Sequence, residues 1–157
     1  MTSATIHASA VLVGARAVLI RGPSGAGKSR LALELVAAAH SGCLRFARLV
    51  GDDRVHLESV NGRILVRPAQ TLAGLIELRG VGILRRDYEP CAVVGLVVDL
   101  DAADAQRLPD QQTIEIGGIN VPRLAVAPGT AALPAVLALI TSSNAPIDLA
   151  TRAPIGD

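Results

Sequence analysis

The feature that most constrains this chain is the stretch Gly22-Pro23-Ser24-Gly25-Ala26-Gly27-Lys28-Ser29. It meets the phosphate-binding pattern G-x-x-x-x-G-K-[ST] at every fixed position. The apolar run Ala17–Ile20 precedes it and a helical pattern follows from Ser29. A strand, a glycine loop and a helix N-terminus together make a cradle for anions. The glycines let several backbone N–H groups converge, and the helix adds its positive end. Lys28 can reach β- and γ-phosphate oxygens, and the Ser29 hydroxyl can face Mg²⁺. Lys28 is also the only lysine among 15 basic residues, a compact ammonium in a chain that otherwise uses arginine. The stretch therefore predicts a nucleotide-phosphate site.

The rest of the composition limits what surrounds that loop. A chain of 157 residues, half of them hydrophobic, predicts one domain over 1–157 with a sizeable core. One Phe and one Tyr leave that core to Val, Leu, Ile and Ala, and provide no stacking platforms for single-stranded nucleic acid. The net charge of +1, with arginines scattered, gives no basic face for a duplex. Cys43 and Cys91 are widely spaced and read as reduced core residues. The N-terminus lacks the basic start of a signal peptide and no apolar run is of membrane-spanning length. The expectation is a cytoplasmic protein with no membrane or nucleic-acid partner.

Periodicity orders the elements. Residues 6–13 read as one strand, carrying His7 near its start, and turn at 14–16 into a strand over 17–21. A helix over 28–40 has Leu31, Ala32, Leu35, Val36 and Ala39 at buried spacing and Gly42 as its stop. Residues 44–50 read as a strand that delivers Asp52 and Asp53 at its carboxyl end, towards the loop. Such a carboxylate is a magnesium ligand or a base for a phosphoryl acceptor; the bland alternative is a solvated turn. Asn61-Gly62 between two alternating runs predicts a hairpin and hence a mixed sheet. Glu77, in the charged and apolar run 75–83, is a metal ligand beside Ser29 or half of a solvated Glu–Arg pair. The run 92–99 predicts a strand buried on both faces, followed by Asp99, Asp101 and Asp104 as a solvated capping loop. A second hairpin over 113–126, a helix over 130–142 and an irregular tail complete the reading.

Four segments, in order, resemble the catalytic domain of HPr kinase/phosphorylase. They are His7 fifteen residues before Gly22, the loop 22–29, Leu49–Val55 with its Asp52-Asp53 pair, and Ile76-Glu77-Leu78-Arg79-Gly80-Val81-Gly82-Ile83. Arg107-Leu108-Pro109 and Val121-Pro122-Arg123 are similar to later segments of that family. The resemblance implies an α/β P-loop kinase core of the HPr kinase/PEP carboxykinase type, with a mixed sheet, hairpins and flanking helices. It implies ATP and Mg²⁺ as cofactors, the phosphocarrier HPr as protein partner, a role in the phosphotransferase system, and a homo-oligomer. The roles it implies are phosphate binding for Lys28 and the loop, metal binding for Ser29, Glu77 and Asp53, and acid–base work for Asp52. His7 and Arg107 would assist at the transferring phosphoryl group.

The chain looks like a short form without the N-terminal domain. Leu84-Arg85-Arg86-Asp87-Tyr88-Glu89-Pro90 stands where the family has Asn-Leu-Phe-Gly, and the loop 125–130, tied in that family to dephosphorylation, has no basic residue. Two rival readings are a P-loop kinase of a small metabolite and a nucleotide-binding regulatory module. Against the second, Ser29, Asp52 and Glu77 are all present.

Overall fold

The computed structural model describes residues 5–107, 109–110 and 112–142. Eleven strands and two helices follow one another along the chain. They are β1 (Thr5–His7), β2 (Ser9–Val13), β3 (Arg16–Arg21), α1 (Lys28–His40), β4 (Ala47–Gly51), β5 (Arg54–Val60) and β6 (Arg63–Pro68). Then come β7 (Leu75–Leu78), β8 (Gly82–Arg85), β9 (Ala92–Asp99), β10 (Gln112–Ile116), β11 (Ile119–Ala125) and α2 (Ala132–Thr141).

Nine of the strands form one mixed sheet in the order β1-β5-β6-β9-β3-β2-β4, while β7 and β8 pair only with each other. The sheet forks at β9, which lies parallel to β3 on one edge. Its other edge takes β6 antiparallel at Ala92 and Val93, then β11 parallel at Val97–Asp99, and β10 closes this branch against β11. Because β2 is antiparallel to both β3 and β4, those two run the same way as β9 and β11. The carboxyl ends of four strands, and the start of β2, therefore share one end of the sheet.

Two apolar clusters lie on opposite faces. Val18, Ile20, Leu96 and Val98 pack under α1 and α2 with Leu31, Leu35, Val136 and Ile140. Ala17, Leu19, Val94 and Val97 face the other way, against Val50, Val55, Ile64 and Val66. Val94 and Val97 share a face despite their odd spacing, because the register slips from Ala17↔Val94 to Val18↔Leu96 and leaves Gly95 extra. A bulge at a glycine reverses which side chains look inward, so β9 is buried on both faces as its sequence predicts.

The helix α1 matches its predicted span, although Ala38 replaces Ala39 on the buried face. The single strand expected over 6–13 is two strands. Ala8 donates its amide to Asp53 O, and the chain passes there from the β5 edge to the β3 and β4 side of the sheet. The strand expected from residue 44 begins at Ala47, because the Leu44 amide is held by Ala38 O at the end of α1. The tail after Asn144 lies outside the described residues. No helix among the described residues is long and apolar enough to cross a membrane.

Asp99 is not the solvated loop residue that its sequence suggests. It ends β9 with its side chain 14% exposed and accepts from Arg21 Nε at 2.7 Å, Arg21 Nη2 at 2.8 Å and Arg123 Nε. Arg123 also reaches Asp104 at 2.8 Å, so Asp104 is exposed yet paired, and the trio clamps β3, β9 and β11. Burial alone would raise the Asp99 pKa; the hydrogen bonds and charges of Arg21 and Arg123 outweigh it and hold the carboxyl below its ordinary value. A carboxylate with a depressed folded pKa stabilises the fold above the unfolded value of about 3.9 and loses that contribution as pH falls through the folded one. Urea denaturation across pH 2–7 should show an acid-side loss of stability that Asp99→Asn lacks. At neutral pH that variant should be about 1–3 kcal/mol less stable.

Candidate active site

The shared end of the sheet assembles the site. The loop 22–29 leaves β3 and opens α1 at Gly27, whose φ of 100° is a conformation that favours glycine. At Gly22 a Cβ would come within 3.1 Å of Leu100 Cβ and 3.2 Å of Ala26 Cβ, so a side chain at the loop's first position would crowd both. Lys28 folds back over the loop, donating from Nζ to Gly22 O at 2.8 Å and Pro23 O at 3.2 Å. No acidic side chain belongs to the first turn of α1 itself.

Beyond β4 the chain turns sharply through Asp52 and Asp53. Arg54 N bonds Asp52 O at 2.8 Å, and Asp53 takes a φ of 68°, a left-handed conformation that aspartate tolerates. The turn points the two aspartates differently. Asp53 is exposed, whereas Asp52 is 3% exposed and faces the start of α1. Ser29 Oγ lies 2.8 Å from both Asp52 carboxylate oxygens, Ser9 Oγ donates to Oδ1 at 2.5 Å, and the Glu77 amide donates to Oδ2 at 3.2 Å. A carboxylate has about four lone-pair sites, and three donors share this one, with two contacts on each oxygen.

The β7–β8 hairpin completes the constellation. Its Glu77 amide fixes it to Asp52, while the Glu77 side chain is exposed. Its Arg79 guanidinium lies over the loop, where a Cβ on Gly25 would sit 3.6 Å from Nη2. His7 ends β1 opposite Arg54 and is exposed, beside the Asp53 backbone that Ala8 bonds. Arg107 is exposed in the loop between β9 and β10, and no hydrogen bond or ion pair joins it to residues 22–29 among the described residues.

The structure therefore brings Lys28, Ser29, Asp52 and the Glu77 backbone together, places His7 and Asp53 at the adjoining turn, and, among the described residues, shows no bond from Arg107 to them. Two residues escaped the sequence reading. Ser9 has a signal, being the one polar residue in the run 8–13. Arg79 sits inside the Glu77 segment, but nothing in its spacing says that it leans over the loop.

The donor set suits magnesium. Ser29 Oγ, the carboxylates of Asp52 and Asp53 and the exposed Glu77 are hard oxygen ligands, and Mg²⁺ is commonly held by one or two carboxylates plus substrate phosphates. No group of three His, Cys, Asp or Glu side chains able to enclose a metal occurs among the described residues. Such an ion would need the phosphates to complete its shell.

Ser9 and Asp52 are the only buried polar residues among those described, at 0% and 3% exposure. Ser9→Ala should keep the packing, remove one of three hydrogen bonds to a buried carboxylate and lower stability by about 1–3 kcal/mol. Urea denaturation of both proteins checks this, and an unchanged midpoint would remove Ser9 from the site's support.

Comparisons with known proteins bear on the family and the fold. The family model described as HPr Serine kinase C-terminal domain matches residues 1–137. HPr kinase/phosphorylase of Streptococcus thermophilus is 35% identical over 135 residues, covering 78% of this chain and 41% of that protein. HPr kinase/phosphorylase of Clostridium beijerinckii is 33% identical over 133 residues, covering 77% and 42%. The chain thus spans about two fifths of the length of these curated relatives. Among solved structures, the Hpr(Ser) kinase/phosphatase from Coxiella burnetii superimposes with a TM-score of 0.70 at 25% identity, over 90% of each chain. With a P-loop, a buried aspartate on its serine and a matching fold, the chain belongs to the HPr Serine kinase C-terminal domain family.

Proposed function

We propose that this chain is an ATP-dependent serine kinase acting on an HPr-like phosphocarrier protein, with Mg²⁺ as its metal and the cytoplasm as its compartment. The observation that carries the reading is the Ser29–Asp52–Glu77 junction beside the P-loop. The names of the relatives supply the acceptor.

In this reading the amides of residues 22–29 and the Lys28 ammonium bind the β- and γ-phosphates. Ser29, Glu77 and Asp53 are the residues that would hold Mg²⁺, which when bound neutralises phosphate charge. Ser29 can do this and keep its contact with Asp52, because its proton goes to the carboxylate and its lone pairs stay free. Asp52 accepts the proton of the acceptor serine as that oxygen attacks the γ-phosphorus. Phosphoryl transfer is mainly positioning and charge neutralisation, so one well-placed base suffices. Arg79 adds a guanidinium above the loop; His7 and Arg107 assist at the transferring group once the acceptor is bound. The proposal covers the kinase direction; residues 125–130, which the family resemblance ties to dephosphorylation, carry no basic side chain.

The test mixes the protein with ATP, Mg²⁺ and HPr, and in parallel with a panel of small hydroxylated metabolites. Phosphoserine on HPr is the expected product; a phosphorylated metabolite with untouched HPr would refute the reading. Lys28→Ala should abolish transfer and weaken ATP binding.

Asp52→Asn should lose about a hundred- to ten-thousand-fold in kcat while still binding ATP, and Asp53→Asn should lose less. Single-turnover kinetics with ATP titrations on both variants separates the roles. If Asp52→Asn loses rate only in proportion to ATP affinity, Asp52 holds metal or structure and is not the base.

A further inference from the structure

Every exposed large hydrophobic side chain among the described residues lies within one eight-residue stretch. Val81, Ile83 and Tyr88 are 62%, 70% and 42% exposed. Scattered apolar side chains on a surface need no explanation, but three together beside a reaction site do. The hairpin that carries two of them has unlike faces. Its register sets Ile76 against Leu84 and Glu77 against Ile83. Ile76 is 1% exposed and Leu84 packs on the same core cluster, so that pair faces inward. Glu77 and Ile83 face outward together, and no further strand among the described residues pairs with this two-stranded sheet.

The position is informative. Residues directly opposite in an antiparallel pair stand about 5 Å apart, so Ile83 is an immediate neighbour of Glu77. The Glu77 amide is itself 3.2 Å from Asp52 Oδ2. The outward face of the hairpin thus adjoins Asp52, where a serine hydroxyl would have to arrive. Tyr88 lies beyond the base of the hairpin, its ring beside Gly74, placed by its bridge to Leu49 and by Glu89 N on Leu49 O at 2.8 Å. Arg85 and Arg86 border it and have no carboxylate partner among the described residues. Three side chains offer a few hundred Å², well short of the roughly 800 Å² per partner of a standard stable interface, and suited to a contact that forms and breaks with each turnover.

We propose that the outward face of the β7–β8 hairpin, with Val81 and Ile83 at its centre, Tyr88 at its edge and Arg85 and Arg86 as a basic rim, docks the protein that carries the acceptor serine. The matching surface is an apolar patch bordered by carboxylates. The proposal rests on the kinase reading for the acceptor's being a protein, and it locates the contact on residues with no part in phosphate binding.

The experiment measures HPr phosphorylation by the wild type, Ile83→Asp, Ile83→Ser and Val81→Asp, with ATP affinity as the control for folding. Removing a central apolar anchor should raise KM for HPr about tenfold or more, Asp more than Ser, with ATP affinity unchanged. Labelled HPr bound to Asp52→Asn, with and without Ile83→Asp, reports docking apart from chemistry. An unaltered HPr affinity in the Ile83 variants overturns the proposal. So does sedimentation showing that Ile83→Asp dissociates an oligomer while HPr affinity stays constant, since the patch would then belong to a second copy. If the wild type binds HPr through Ile83 without phosphorylating it, the surface stands and the kinase reading falls. If it does not bind HPr at all, the surface falls too.

Discussion

A buried carboxylate governs the architecture of this domain. Asp52 is almost fully removed from water, a costly place for a charge unless hydrogen bonds replace the lost hydration. Those bonds come from the start of β2, the first turn of α1 and the β7 backbone, so one side chain ties three separate segments to the turn that follows β4. None of the four can shift without leaving charge or donors unsatisfied. The position of the P-loop relative to the hairpin is thus fixed by electrostatic necessity at least as much as by apolar packing.

The strand directions make such a junction possible. With β3, β4, β9 and β11 running alike, the P-loop, Asp52 and Asp99 all emerge at one end. The two aspartates divide the labour. Asp99, held by Arg21 and Arg123, locks the central strands behind the loop, and Asp52 holds the elements in front of it. The slip at Gly95 lets the central strand serve both apolar clusters, which explains how a core with almost no aromatic side chains fills the space on either side of the sheet.

Much of this was legible in the sequence, and the reasons for success and failure are specific. The span of α1 was readable because its loop, apolar period and glycine stop are all local signals. The hairpins at Asn61-Gly62 and Gly117-Gly118 were equally local. The break at Ala8 was not, because it reflects a change of strand partner. Asp99 looked like a loop residue because its arginines lie 78 residues before it and 24 after it in the chain. Of the site, the residue types around the phosphate were clear, while Ser9 and Arg79 owe their placement to tertiary approach.

The latch formed by Lys28 bears on recognition. An ammonium has three protons, and two of them sit on Gly22 O and Pro23 O. The third is available without breaking either contact. A free lysine side chain carries about 2 kcal/mol of rotamer entropy, which a ligand must ordinarily suppress when it recruits the charge. Here the fold has already confined the side chain, so an incoming phosphate meets a donor with its orientation set. The loop selects by geometry as well as by charge, favouring an oxygen at the place where the remaining proton points over an anion that merely seeks a cation.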